Sequence, residues 1–208
     1  MKKLAILVSG GGTNLQCIID AIENSTITNA EIAVVISSNP DAYALERARK
    51  AGIKTEILDR NDDFDREKYT QNVIHILKDF DVDLVIMAGF MTILNSNLIK
   101  RFQNRIINIH PSLIPAFSGD GFYGLKPHEA AIERGVKIGG ATAHFVNEVV
   151  DGGPIILQKS CEIKDGDTPQ TLQQRVMTEC EQVILPQAIN LFCNDKLEVR
   201  ENKVYIKD

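Results

Sequence analysis

No two cysteines of this chain stand close together in sequence. Cys17, Cys161, Cys180 and Cys193 are scattered over 208 residues with no C-x-x-C pair. That spacing argues against a thiolate zinc site and fits free thiols in a reducing compartment. Cys17 lies in a helical pattern and reads as a small core residue rather than a nucleophile. Long apolar runs are also missing. "MKKLAILVSGGG" sets two lysines before an apolar run, as a signal peptide would, but Leu4–Val8 is only strand length and breaks into glycines without a cleavage pattern. No run approaches membrane-spanning length, so a cytoplasmic protein is expected. Excess charge of either sign is small. The net charge of -5 gives no global attraction to nucleic acid or an anionic membrane, while leaving room for a local anion pocket. Three familiar motifs are absent as well. A dinucleotide fingerprint needs a third glycine near Leu15, a P-loop needs a lysine after its glycines, and a nucleophile elbow needs G-x-S-x-G.

What is present is an ordinary globular composition, 44% hydrophobic and 25% charged, in a chain long enough for a sizeable core. The first half alternates. Apolar runs "LAILV", "EIAVVIS", "KTEIL", "DLVIMAGF" and "RIINI" read as strands. "NLQCIIDAIE", "NPDAYALERARKAG", "DFDREKYTQNVIHILKDF" and "SNLIKRFQ" read as helices between them. Wholly apolar strands separated by amphipathic helices predict an α/β, doubly wound, mostly parallel sheet with helices on both faces. Ligands of such sheets bind beyond the carboxyl ends of the strands. The loops after Val8, Ile36, Ala88 and Ile109 are therefore expected on one edge. The second half differs. "HEAAIERG" predicts a helix, "GATAHFV" and "IILQKSCEI" an antiparallel pair around "DGGP", and "KLEVRENKVYI" a hairpin turning at Glu201–Asn202. The segment from Thr168 to Phe192 predicts one long helix with Thr168 as N-cap, Pro169 first and a kink at Pro186.

Two features carry chemistry. "SGGGTNLQ" follows a strand and opens a helix, so its backbone N–H groups and the helix N-terminus suit an anion, one phosphate monoester rather than a pyrophosphate. A tight turn without a ligand is the plain alternative. "INIHPSLIP" ends a strand. Asn108 and His110 are two residues apart and face the same way, an amide donor and an imidazole suited to an oxyanion on a carbonyl carbon. Asp151 in "VVDGGP" would orient His110 and favour its cation if the fold brings them together. By itself it reads as a turn-forming Asp. His75 reads as a surface or satisfied residue of a helix, and His128 as a neighbour of a helix start. Direct acyl transfer between two bound substrates fits these residues better than nucleophilic hydrolysis.

"ILVSGGGTNLQ", "MAGFMTIL", "INIHPSLIPAF", "GATAHFV", "DGGPII" and "LQQRV…EQVILP", in order and with matching spacing from Lys3 to Phe192, resemble the phosphoribosylglycinamide formyltransferase family. The resemblance implies a single formyltransferase domain over residues 1–208, with a phosphate-binding half of about 1–104 and a folate-binding and catalytic half of about 105–208. It implies formyl transfer from 10-formyltetrahydrofolate, as co-substrate and without a metal, to the glycine amine of glycinamide ribonucleotide in purine biosynthesis. Asn108, His110 and Asp151 would be the catalytic trio, with Thr142 and His144 around a bound water. Gly11, Gly12, Thr13 and Asn14 would grip the phosphate. Gly89 and Met91 would line the junction of the substrates, and Glu181 would bind the ribose, with Glu179 close enough to leave the register open. Arg66, Phe90, Thr92, Ile93, Leu94 and Arg105 would meet the folate, with backbone from Phe145, Val146, Asn147, Glu148 and Val149. For the apolar residues among them, core packing is an equal reading.

Two departures stand out. The loop over residues 116–127 is longer than in the shortest members and is a candidate lid, and Thr92 stands where some members carry a basic side chain. Partners are expected to be small molecules, not nucleic acid or membrane, with the chain a monomer or homodimer. Formyltetrahydrofolate deformylase and methionyl-tRNA formyltransferase share the trio. The former adds an N-terminal regulatory domain, and the latter a C-terminal domain and a basic surface. A non-catalytic phosphosugar sensor would account for the glycine loop but not for the trio.

Overall fold

In a computed structural model, residues 1–60, 65–92 and 94–207 are described, and the chain falls into two compact units, Met1–Ile107 and Asn108–Asp208. The first unit alternates β1 (Lys2–Val8), α1 (Thr13–Glu23), β2 (Ala30–Ser37), α2 (Tyr43–Lys50), β3 (Thr55–Ile57), α3 (Arg66–Asp79), β4 (Leu84–Met87) and α4 (Ser96–Arg101), then enters β5 (Ile106–His110). Its strands run in the order β3-β2-β1-β4-β5, and β1 pairs parallel with both β2 and β4. Leu4 to Val8 are fully buried, as expected of a strand covered on both faces. Helix α1 turns Leu15, Ile18 and Ile19 into the core, and Asp65 caps α3 by accepting from the Glu67 and Lys68 N–H groups.

One boundary differs from the sequence reading. Helix α2 begins at Tyr43, not near Pro40. The Asn39 side chain accepts the Asp41 N–H and the Asn39 carbonyl accepts the Ala42 N–H, so Pro40 sits in a turn ahead of the helix.

The second unit takes up β5 at Asn108 and continues through α5 (Lys126–Arg134), β6 (Ile138–Phe145) and β7 (Ile155–Glu162) in the strand order β5-β6-β7. Strands β6 and β7 are antiparallel, with Thr142 opposite Gln158 and an irregular step between Ala143 and His144. Gly153 has a strict reason to be glycine, because a Cβ there would lie 1.8 Å from the Phe145 carbonyl oxygen. The expected C-terminal hairpin is present as β8 (Leu197–Arg200) and β9 (Lys203–Ile206), with Glu201 and Asn202 both at positive φ.

The long helix runs without a break from Pro169 to Cys193 but is not α-helical throughout. Thr168 caps α6 (Pro169–Val176) through a capping box with Thr171, and a π-helical turn over Met177–Glu181 leads into α7 (Gln182–Cys193). The irregularity therefore precedes Pro186 rather than falling on it. The turn widens the ladder, with the Gln182 N–H reaching back to the Met177 carbonyl. No helix among the described residues is long and apolar enough to cross a membrane.

Candidate active site

Strand β5 presents Asn108 and His110 on one face, while Ile107 and Ile109 are buried on the other. Asn108 is half-buried and His110 is only 4% exposed. The turn after β6 delivers Asp151. It is tied by the Asn147 side chain, which accepts the Val149 N–H and donates to the Gly152 carbonyl. Asp151 sits at φ +54, a conformation that Asp and Asn tolerate better than most residues. Its Oδ2 lies 3.4 Å from His110 Nδ1 and accepts the Gly119 N–H at 2.9 Å, and its Oδ1 lies 3.6 Å from His144 Nε2. The structure thus brings Asn108, His110, His144 and Asp151 into one cluster.

Hydrogen bonds fix the proton positions in this cluster. The Phe145 carbonyl can only accept, so at 2.9 Å it places a proton on His144 Nδ1. In the neutral ring, His144 Nε2 then accepts from Asn108 Nδ2 at 3.2 Å. On protonation, the same nitrogen can donate to Asp151. His110 Nε2 lies 3.0 Å from the Phe117 carbonyl, with Nδ1 opposite Asp151, so each N–H of a protonated ring has an acceptor. Burial of Asp151 opposes ionisation. The His144 and Gly119 hydrogen bonds and the two imidazole charges outweigh that effect and leave its carboxyl below the ordinary range. A cavity of about 740 Å³ opens beside Asp151, walled by Ile114, Pro115, Gly119, Val150 and the tip of the β8–β9 hairpin.

Thr142 supports the site from behind strand β5. It donates to the Ser112 carbonyl at 2.7 Å and accepts from the Ile114 N–H at 3.1 Å and from Gln158 Nε2 at 3.0 Å. A hydroxyl has one donor and two acceptor positions, so Thr142 has no capacity left for a water and instead holds the segment after His110 in place. Ser112 adds a bond to the Ala116 carbonyl at 2.6 Å.

His128 stands at a helix start as expected, but sequence reasoning did not foresee its burial. It lies in the first turn of α5, is 1% exposed, and its Nε2 has no hydrogen-bond partner among the described residues. Burial, aided by the charge of His110, pushes its pKa down to about 4. No local sequence signal links it to His110, because a long loop separates them. The Phe117 carbonyl and Gly119 N–H were equally hidden, being backbone groups.

The glycine loop lies in the first unit. Gly12, at φ +70, caps α1 without a side chain. A Cβ on it would meet Ala44 Cβ at 2.7 Å, whereas one on Gly11 would meet nothing within 4 Å. Thr13 opens α1, and Asn14 behind it is buried. Ser9 Oγ pairs with Ser38 Oγ at 2.7 Å and accepts the Met91 N–H at 3.0 Å, gathering the loops after β1, β2 and β4. Gly89 (φ +71) and Met91 (63% exposed) are open to solvent.

The remaining expected contacts are scattered. Phe90 and Leu94 are half-buried, Thr92 is buried against the Tyr69 hydroxyl, and Ile93 lies outside the described residues. Arg66 is exposed at the start of α3. Arg105 is exposed but committed locally, donating to the Arg101 carbonyl at 2.7 Å and stacking on Phe102. Phe145 is a core residue against Phe192, and its N–H and carbonyl bond Pro154 and His144. Val146 and Asn147 are half-buried, and Glu148 and Val149 are exposed. Glu181 is 8% exposed in the π-helical turn, while Glu179 faces solvent. The described residues contain no cluster of His, Cys, Asp and Glu that could hold a metal ion.

The family model described as "Formyl transferase" matches residues 2–189. The phosphoribosylglycinamide formyltransferase of Escherichia coli is 38% identical over 203 residues, which cover 98% of this chain and 92% of that protein. The trifunctional purine biosynthetic protein adenosine-3 of Gallus gallus is 39% identical over 96% of this chain, but the chain spans only 19% of that protein's length. Among solved structures, glycinamide ribonucleotide transformylase 1 from Symbiobacterium toebii superposes with a TM-score of 0.93 at 42% identity, covering 100% of this chain and 95% of that one.

Proposed function

The chain belongs to the formyl transferase family, and we propose that it moves the formyl group of 10-formyltetrahydrofolate onto the glycine amine of glycinamide ribonucleotide in purine biosynthesis. The observation that carries the reading is the cluster of Asn108, His110, His144 and Asp151, found in a chain alike over nearly its whole length to enzymes named for this activity. The amine attacks the formyl carbon, and negative charge develops on the formyl oxygen. Asn108 offers its second amide hydrogen and His110 its Nε2–H to that oxygen. Asp151 holds the charged His110. His144, between Asn108 and Asp151, can hold a proton on its way from the attacking amine to the departing folate nitrogen. In the structure the Phe117 carbonyl occupies His110 Nε2, so the substrate oxygen takes over that donor as the loop over residues 116–127 shifts.

In this reading Gly11, Gly12, Thr13 and Asn14 take the ribonucleotide phosphate, and Gly89 and Met91 contact the ribonucleotide. Glu181, the buried member of its pair, takes the ribose hydroxyls. Phe90, Thr92, Ile93, Leu94 and the backbone over residues 145–149 take the folate, with Arg66 and Arg105 supplying charge near it. We place the protein in the cytoplasm, acting on small molecules alone as monomer or homodimer. The test is an assay with both substrates. Wild type should release tetrahydrofolate only when the ribonucleotide is present, and His110→Ala should lose at least about a hundredfold in kcat. Wild type without turnover, or a fully active variant, would sink the reading.

A further inference from the structure

The loop after β1 is held by α2, and one residue of α2 brings charge to it. The Gly10 carbonyl accepts the Ala44 N–H at 3.1 Å, and the Gly11 carbonyl accepts from Arg47 Nε at 2.8 Å. The Gly12 carbonyl accepts the Gln16 N–H at 2.9 Å, inside α1. In a trans peptide, a carbonyl and the following N–H point in opposite directions. Turning the Gly10 and Gly11 carbonyls toward α2 therefore turns the Gly11 and Gly12 N–H groups away from it. The Gly12 carbonyl, bonded down the helix, likewise sends the Thr13 N–H out of the helix start. The orientation of these successive donors is thus set from behind by α2.

Arg47 is the side chain in that support. It is half-buried, with Nη1 3.2 Å from Gln16 Oε1, its guanidinium 5.0 Å from the centre of the Tyr43 ring, and Cδ within 3.4 Å of where a Gly12 Cβ would stand. A planar guanidinium clamped on these sides holds one direction, which a lysine on a flexible stem does not. Of the neighbouring acidic groups, Glu46 pairs with Arg49, and Asp20 accepts from Gln16, the amide whose oxygen Arg47 meets. The Nε–H on the Gly11 carbonyl sets the charge of Arg47 against the loop.

We propose that Arg47 is a positioning residue for the phosphate end of the ribonucleotide: it fixes the Gly11–Gly12 peptide so that its N–H meets the phosphate, and its charge favours a phosphate monoester dianion in the loop. This rests on the assignment of the glycine loop to the ribonucleotide, and the experiment separates the two. Arg47→Met, Arg47→Lys and Gly11→Val are compared with wild type for both KM values, kcat, inhibition by inorganic phosphate and melting temperature.

Arg47→Met should raise the ribonucleotide KM about tenfold or more, while the folate KM and kcat stay within about twofold. The inhibition constant of inorganic phosphate should rise in parallel, and Arg47→Lys should recover part of the loss. A merely structural tie would move both KM values and kcat together with the melting temperature. That pattern, or an unchanged ribonucleotide KM in Arg47→Met, overturns the role. Gly11→Val places its Cβ where nothing lies within 4 Å, and its melting temperature reports whether the fold is kept. If it leaves the ribonucleotide KM unchanged, the loop assignment itself fails. If it raises that KM while Arg47→Met does not, only the role of Arg47 falls.

Discussion

Replacing Asp151 with Asn removes one negative charge and keeps the shape. Asn accepts the left-handed backbone at φ +54, where Ala would add strain, and its amide oxygen can still receive the Gly119 N–H. What disappears is the carboxylate 3.4 Å from His110 Nδ1 and 3.6 Å from His144 Nε2. At 3.4 Å and an effective dielectric of about 20, the gross attraction to a charged His110 is about 5 kcal/mol. Desolvation of both groups offsets much of it, and a charge-assisted hydrogen bond is worth about 1.5–3 kcal/mol net. If the charged imidazole acts in the transition state, kcat should fall by about 10- to 150-fold. The assay is steady-state release of tetrahydrofolate, with the melting temperature measured beside it. The ribonucleotide KM should change little, because the carboxylate serves the reaction rather than the phosphate. An Asp151→Asn variant that melts like wild type and keeps kcat within about threefold would refute the reasoning.

Three further outcomes follow from packing and burial. Gly12→Ala should lower stability by about 1–3 kcal/mol, read as a drop in melting temperature, because its Cβ would meet Ala44 at 2.7 Å on a positive-φ backbone. Folded His128 titrates at about 4, below the ordinary 6.5, so between those values the unfolded chain binds a proton that the folded one refuses. Stability should therefore fall as pH drops from 6.5 toward 4, and His128→Gln should flatten that part of a denaturant-midpoint profile. The Arg175 guanidinium grips Asp167 with two hydrogen bonds and holds its carboxyl well below the ordinary 3.8. Its stabilisation is present above that value and is lost as pH falls further, so Asp167→Asn should destabilise at neutral pH and narrow the gap to wild type in acid.

The sheet was readable from sequence because its strands are apolar throughout and its helices carry a regular stripe. Leu4–Val8 and the α1 face show both patterns. Boundaries set by side-chain hydrogen bonds were not. Asn39 delays α2, and no local pattern marks the π-helical turn before Pro186. In the site, the alternation of a strand was enough to pair Asn108 with His110. The approach of Asp151 and the burial of His128 come from residues far apart in sequence, and Thr142 proved to be a brace for the segment after His110. Gly12 illustrates a different limit. Its conformation reads equally as an anion loop or as a close approach to α2, and the structure shows that the second demand alone requires glycine there.

The most direct test follows an isotopically labelled formyl group from 10-formyltetrahydrofolate with wild-type protein, glycinamide ribonucleotide present and absent. Formyl transfer by the cluster around His110 should place the label on the glycine amine, one for each tetrahydrofolate released, with no release when the ribonucleotide is withheld. Label recovered as free formate, at the same rate with or without the ribonucleotide, would contradict it and make water the acceptor.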